Sequence, residues 1–128
     1  INKSKKSFVL YLPDNEIHEL GLMFINHEIV NRGYQSIFLG QSVPVESLTD
    51  LLNYYDDIIY ISYFTVKPEK DDIDDYIKEF ESKILKNDGT QFRILGQMLN
   101  ALDLNQLPKK IRPFKSIEAL ISELERIK

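Results

Sequence analysis

The sequence predicts an α/β fold, with a parallel sheet covered by helices on both faces. Three observations predict it. Short apolar runs alternate five times with helix-like stretches. The connections between them are short and carry Gly, Pro, Asn or Asp. The apolar runs have the near-continuous hydrophobic character of strands buried on both faces.

Each element follows from local pattern. Ser7 to Leu12 (S-F-V-L-Y-L) reads as a buried first strand. Pro13, Asp14 and Asn15 form a turn, and either Asp14 or Asn15 is suited to cap the next helix. His18 to Asn31 reads as a helix with apolar residues on more than one face, and Gly33 is placed as its stop. Ser36 to Leu39 is the second strand, ending at Gly40. Pro44 opens a second helix, Val45 to Tyr54, in the position where a first turn accepts proline. Asp57 to Ser62 (D-I-I-Y-I-S) is the third strand. Lys67 to Lys86 is a third helix with an acidic exposed side. Asn87, Asp88 and Gly89 make a turn before the fourth strand, Phe92 to Leu95. Leu99 to Leu104 reads as a short helix. Ile111 to Phe114 is a fifth strand, and Ser116 caps a final helix, Ile117 to Ile127.

Right-handed crossovers leave few topologies for such a chain. The expected one is the flavodoxin-like (Rossmann-like) three-layer sandwich, a five-stranded parallel sheet of order 2-1-3-4-5. Its switch point lies between the first and third strands, where ligands bind at the carboxyl ends.

The 128 residues amount to one domain, large enough to bury a working core. The chain starts with isoleucine, so it reads as a fragment or processed product. Residues 1–6, with Lys3, Lys5 and Lys6, look like a linker remnant, and residues 7–128 like the domain. No apolar run reaches the roughly 18 residues of a membrane span, and no signal peptide is visible. With no cysteine, thiolate metal sites, iron–sulfur clusters and cysteine nucleophiles are all excluded. The same absence fits a cytoplasmic location. A formal net charge of −4 offers no basic surface for nucleic acid. Enzyme signatures are missing as well: no phosphate loop, no G-x-G-x-x-G and no G-x-S-x-G elbow. A phosphate-accepting receiver domain would need Asp and Lys where Ser62 and Gly96 stand. The expectation is therefore a non-enzymatic domain without catalytic residues.

Three loops converge at the expected ligand edge. After strand one come Glu16, His18 and Gly21, spaced E-x-H-x-x-G. After strand three come Ser62 and Phe64, and after strand four Gly96 and Gln97. An imidazole beside a carboxylate is the arrangement of a metal ligand, because the acceptor fixes the ring's tautomer and orientation. His18 is the candidate. Simpler roles suit other residues. His27 reads as structural, and Glu19 as a helix-dipole partner. The acidic run Glu69 to Asp75 reads as a solvated face. Tyr54, Tyr55, Tyr60 and Tyr63 read as core and sheet-surface residues. Ser62 reads equally as a strand-end hydroxyl, and Gly40 as a turn glycine.

These motifs resemble those of cobalamin-binding domains, whose pattern is D-x-H-x-x-G, then S-x-L, then G-G. The similarity is greatest to the light-responsive, cobalamin-dependent transcription regulators of the MerR class. Glutamate at the first motif position, as at Glu16, and the stretch L-G-Q-S-V-P (Leu39 to Pro44) both resemble that class. The resemblance runs from about Phe8 to Ile127. It implies that His18 is the lower axial ligand to cobalt, with Glu16 accepting a hydrogen bond from the other ring nitrogen. It implies that Gly21 and Gly96 let the nucleotide tail pass, and that Ser62 bonds the displaced base. Neutral imidazole suits cobalt, and glycine removes the side chain that would block a tail.

Two departures stand out. Phe64 replaces the leucine of the second motif, and Gln97 replaces the second glycine of the third. The implied function is a C-terminal cobalamin-binding sensor, with adenosylcobalamin the expected cofactor. Homo-oligomers are implied for the full-length protein, and DNA contact only through an upstream domain. Two alternatives stay open. One is a degenerate interaction or dimerisation module in which Gln97 and Phe64 close the tail slot. The other is the corrinoid-carrying module of a methyltransferase or mutase.

Overall fold

A computed structural model describes residues 6–126 of the chain. Its sheet has five parallel strands in the order β2-β1-β3-β4-β5. The strands are β1 (Lys6–Tyr11), β2 (Gln35–Gly40), β3 (Asp57–Tyr63), β4 (Gln91–Leu95) and β5 (Ile111–Pro113). The α-helices are α1 (Leu20–Asn31), α2 (Val45–Thr49), α3 (Ile73–Lys83) and α4 (Ile117–Leu124). This is the flavodoxin-like order that the alternation predicts, with β3 at the centre and β1 between β2 and β3. Lys6 belongs to β1 rather than to a linker; the rest of the expected linker, and Ile127 of the last helix, lie outside the described residues.

Two cores flank the sheet because successive strand side chains point to opposite faces. On one face Phe8, Leu10, Ile59 and Ile61 pack with Leu22, Ile25 and Ile29 of α1 and Leu120 and Leu124 of α4. On the other, Val9, Tyr11, Tyr60, Phe92 and Ile94 pack with Leu48 of α2 and Ile73, Ile77 and Phe80 of α3. The second core is rich in aromatic contacts: Phe80 and Phe92 stack at 3.8 Å between ring centres.

Several elements are shorter than the sequence predicts, and each has a physical cause. α1 starts at Leu20 rather than His18, because the Glu16 carboxylate takes the backbone N–H groups of Ile17 and His18 at 3.0 Å each. These two residues wind around the carboxylate instead of entering the helix. α3 starts at Ile73 rather than Lys67. Its preceding turn is organised by the Glu69 carbonyl, which accepts from the N–H groups of Asp72 and Ile73. The expected second helix is α-helical only to Thr49 and continues as a 3₁₀ turn, Asp50–Asn53. The expected short helix after β4 is two 3₁₀ turns, Gln97–Ala101 and Leu104–Gln106. None of the described helices is long and apolar enough to cross a membrane.

Candidate functional site

The site is built at the carboxyl ends of β1, β3 and β4. Its centre is the Glu16 carboxylate, which is fully buried yet accepts five hydrogen bonds. Oε2 accepts from the backbone of Ile17 and His18 and from the His18 ring, with Nδ1 at 2.7 Å. Oε1 accepts from the backbone N–H groups of Val66 at 2.6 Å and Lys67 at 2.9 Å. Burial alone would raise the Glu16 pKa. The donors from Lys67, Val66 and His18 outweigh it and hold the carboxyl down at about 2. One side chain thus ties the loop after β1 to the loop after β3.

The bond to Glu16 orients His18. An Nδ1–H donated to a carboxylate leaves the lone pair on Nε2. No described residue occupies Nε2, and the ring is 56% exposed. Around it the surface is apolar: Ile17 is 61%, Leu20 83% and Val66 47% exposed. An imidazole oriented through Nδ1 with its Nε2 lone pair open is suited to ligate a metal. An open cleft of about 490 Å³ lies beside it, lined by His18, Glu19, Gly21, Tyr63 and Thr65.

The stretch Leu39 to Pro44 packs onto the same edge. Leu12 donates its N–H to the Gly40 carbonyl, and Val43 donates to the Leu12 carbonyl at 2.8 Å. The Asn15 N–H donates to Ser42 Oγ at 3.1 Å, and both residues adopt positive φ. Gln41 donates to the Glu19 carboxylate at 3.2 Å. Glu19 is thereby a strut between α1 and this loop, beyond the dipole role that its position predicts.

The remaining predicted residues divide. Gly21 and Gly96 lie at the edge. Gly96 has φ +114°, and a Cβ there would fall on the Phe64 backbone. Ser62 is fully buried and donates its hydroxyl to the Tyr11 carbonyl at 2.7 Å, so it is committed to the neighbouring strand rather than free for a ligand. Phe64 is corrected outright: it is buried in the α2/α3 core against Tyr76 and Phe92 and closes no slot. Gln97 is exposed and lines a separate cleft of about 490 Å³ with Leu95, Leu99, Asn100, Phe114 and Lys115. His27 bonds Asn31 on the surface of α1, away from the edge.

Tyr63, expected as a core or sheet-surface residue, packs against the α1/α4 core and also borders the site. Its half-buried ring lies against Gly21, 2.8 Å from where a Cβ on that glycine would stand. Tyr63 also borders both clefts. The signal lay in strand parity. Ile59, Ile61 and Tyr63 share the α1/α4 face, whereas Tyr60 and Phe64 share the other. Val66 and Lys67 were invisible as partners, because their part is played by backbone N–H groups that almost any residue supplies.

No family model matches the chain, and no curated protein matches it. Solved structures do. One is the monomethylamine corrinoid protein of Methanosarcina barkeri, with a TM-score of 0.72 and 14% identity, covering 98% of this chain and 60% of that one. A second is a cobalamin-binding protein from Desulfitobacterium hafniense, with a TM-score of 0.71 and 15% identity over 95% of this chain and 58% of that one. A third is the methanol:cobalamin methyltransferase complex of Methanosarcina barkeri, with a TM-score of 0.70 and 13% identity over 93% and 45%. The chain therefore spans about half the length of the chains that it resembles. At these identities the likeness shows the fold: the three-layer flavodoxin-like sandwich is one on which corrinoid proteins are built.

Proposed function

We propose that the chain is a corrinoid-binding module in which His18 would ligate the cobalt. The observation that carries this reading is the pair Glu16–His18. A buried carboxylate fixes the imidazole through Nδ1 and leaves Nε2 turned to an exposed apolar edge. The structural neighbours, described as corrinoid and cobalamin proteins, support it.

The part played is that of a carrier working with a catalytic partner. Two of the neighbours are described as a methylamine corrinoid protein and a methanol methyltransferase complex, which supports a carrier over a sensor. A bound corrinoid supplies the cobalt that accepts and gives up a methyl group. The chain's own residues hold and orient it: His18 through Nε2, Glu16 through His18, and Ile17, Leu20 and Val66 as an apolar floor. The regulator reading, with an adenosyl upper ligand, oligomers and an upstream DNA-binding domain, rests on Glu16 and on Leu39 to Pro44.

The test is reconstitution. The protein is incubated separately with aquacobinamide and with hydroxocobalamin, desalted, and its visible spectrum recorded. Retained corrin bands with a histidine-ligated spectrum are expected for at least one of the two. His18→Ala should shift those bands to the spectrum of cobalt without a nitrogen ligand. A protein left colourless by both corrinoids, or an unchanged His18→Ala spectrum, overturns the reading.

A further inference from the structure

We infer that Tyr63 is a specificity-determining residue that fills the tail slot, so that the site selects corrinoids without a bulky nucleotide base. This inference rests on the corrinoid reading above.

The geometry is local and specific. Gly21, in the first turn of α1, leaves a gap between that helix and the end of β3. The chain fills the gap itself. Cε2, Cδ2 and Cζ of Tyr63 lie 2.8, 3.1 and 3.3 Å from the place of a Gly21 Cβ, so the ring occupies the space that the missing side chain leaves. On one side of the ring is the cleft beside His18, and on the other the cleft at the ends of β4 and β5. Each is about 490 Å³, within the usual size of a small-molecule site. A corrin ring held over His18 has room on the open edge. The resemblance to cobalamin-binding domains implies that a nucleotide tail would pass Gly21, and there Tyr63 stands between the two clefts.

The wedge is held by packing alone. No described residue hydrogen-bonds the Tyr63 hydroxyl, and the ring packs against the apolar core of the α1/α4 face. The barrier is therefore steric, and shortening the side chain removes it without orphaning a polar group. Gln97 and Phe64 do not form the barrier, since one is exposed and the other belongs to the opposite core. A ligand lacking the tail, such as cobinamide, makes the His18 contact and avoids the wedge.

The experiment is a spectral titration of wild type, Tyr63→Ala and Tyr63→Phe with aquacobinamide and hydroxocobalamin. Wild type and Tyr63→Phe should bind cobinamide at least tenfold more tightly than cobalamin. Tyr63→Ala should gain at least tenfold in cobalamin affinity and keep its cobinamide affinity within threefold. Tyr63→Leu gives the same direction if the alanine variant fails to fold by circular dichroism. Equal wild-type affinities, or a cobalamin affinity unmoved by Tyr63→Ala and Tyr63→Leu, overturn the wedge and leave the corrinoid reading standing. Failure of every variant to bind either corrinoid overturns both.

Discussion

At the scale of single residues, Glu16 does most to define the site. A carboxylate is all acceptor, which is why it satisfies five N–H donors at once. Glutamine is nearly its shape but turns an NH₂ group towards donors. We expect Glu16→Gln to lower stability by about 3 kcal/mol, the cost of leaving several buried N–H groups unpaired. Urea unfolding measures it, with the midpoint falling and the slope unchanged. His18→Ala removes one donor of the five and should cost only about 1 kcal/mol by the same measurement. On the proposed function its large effect falls on the corrinoid spectrum. The contrast separates the residue that organises the edge from the one proposed to face the ligand.

At the scale of elements, the turn after β4 depends on Gly96. Phe64 donates its N–H to the Leu95 carbonyl at 2.7 Å, and its own carbonyl accepts from Met98 at 3.0 Å. These two hydrogen bonds bring the two loops so close that a Cβ at Gly96 has no room, and φ is positive as well. Gly96→Ala should therefore destabilise the domain by about 3 kcal/mol, read as a lower urea midpoint. Strand order and the two helix layers were legible in the sequence, since five apolar runs with short links admit few arrangements. The E-x-H-x-x-G spacing likewise disclosed the Glu16–His18 pair. Helix starts were not legible, because α1 and α3 begin late for reasons that lie elsewhere in the chain. Glu16 draws Ile17 and His18 out of α1, and the donors that answer it, Val66 and Lys67, are about 50 residues away. Phe64, one residue past β3, continues the side of Tyr60 into the α2/α3 core, a placement that motif matching takes no account of.

At the scale of the whole molecule, the depressed Glu16 carboxyl makes stability depend on acid. Between pH about 4.5 and about 2 the unfolded chain binds a proton at Glu16 that the folded chain does not. Acid in this window therefore favours unfolding, and the contribution is complete only above pH about 4.5. It amounts to on the order of 3 kcal/mol for Glu16 alone. Glu46 is lowered in the same direction first by its own backbone N–H and then by Lys83, Glu69 by Lys67 and Glu123 by Arg112, but at exposed positions where water screens the effect. Denaturation followed from pH 6 to pH 2 should show stability falling through this window. Glu16→Gln should flatten the slope. An equally steep fall in that variant would assign the acid sensitivity to other carboxylates.

The loop-to-loop tie at Glu16 also has a consequence in time. Four backbone amides, those of Ile17, His18, Val66 and Lys67, share one acceptor group. None of the four belongs to a helix or strand, so ordinary secondary structure does not protect them from exchange with solvent deuterium. Their protection comes from one carboxylate, and a single swing of that side chain releases all four. The two loops thus open to water as one event. On the proposed function, a ligand held by His18 would bear on the same opening as contacts made by the segment after β3.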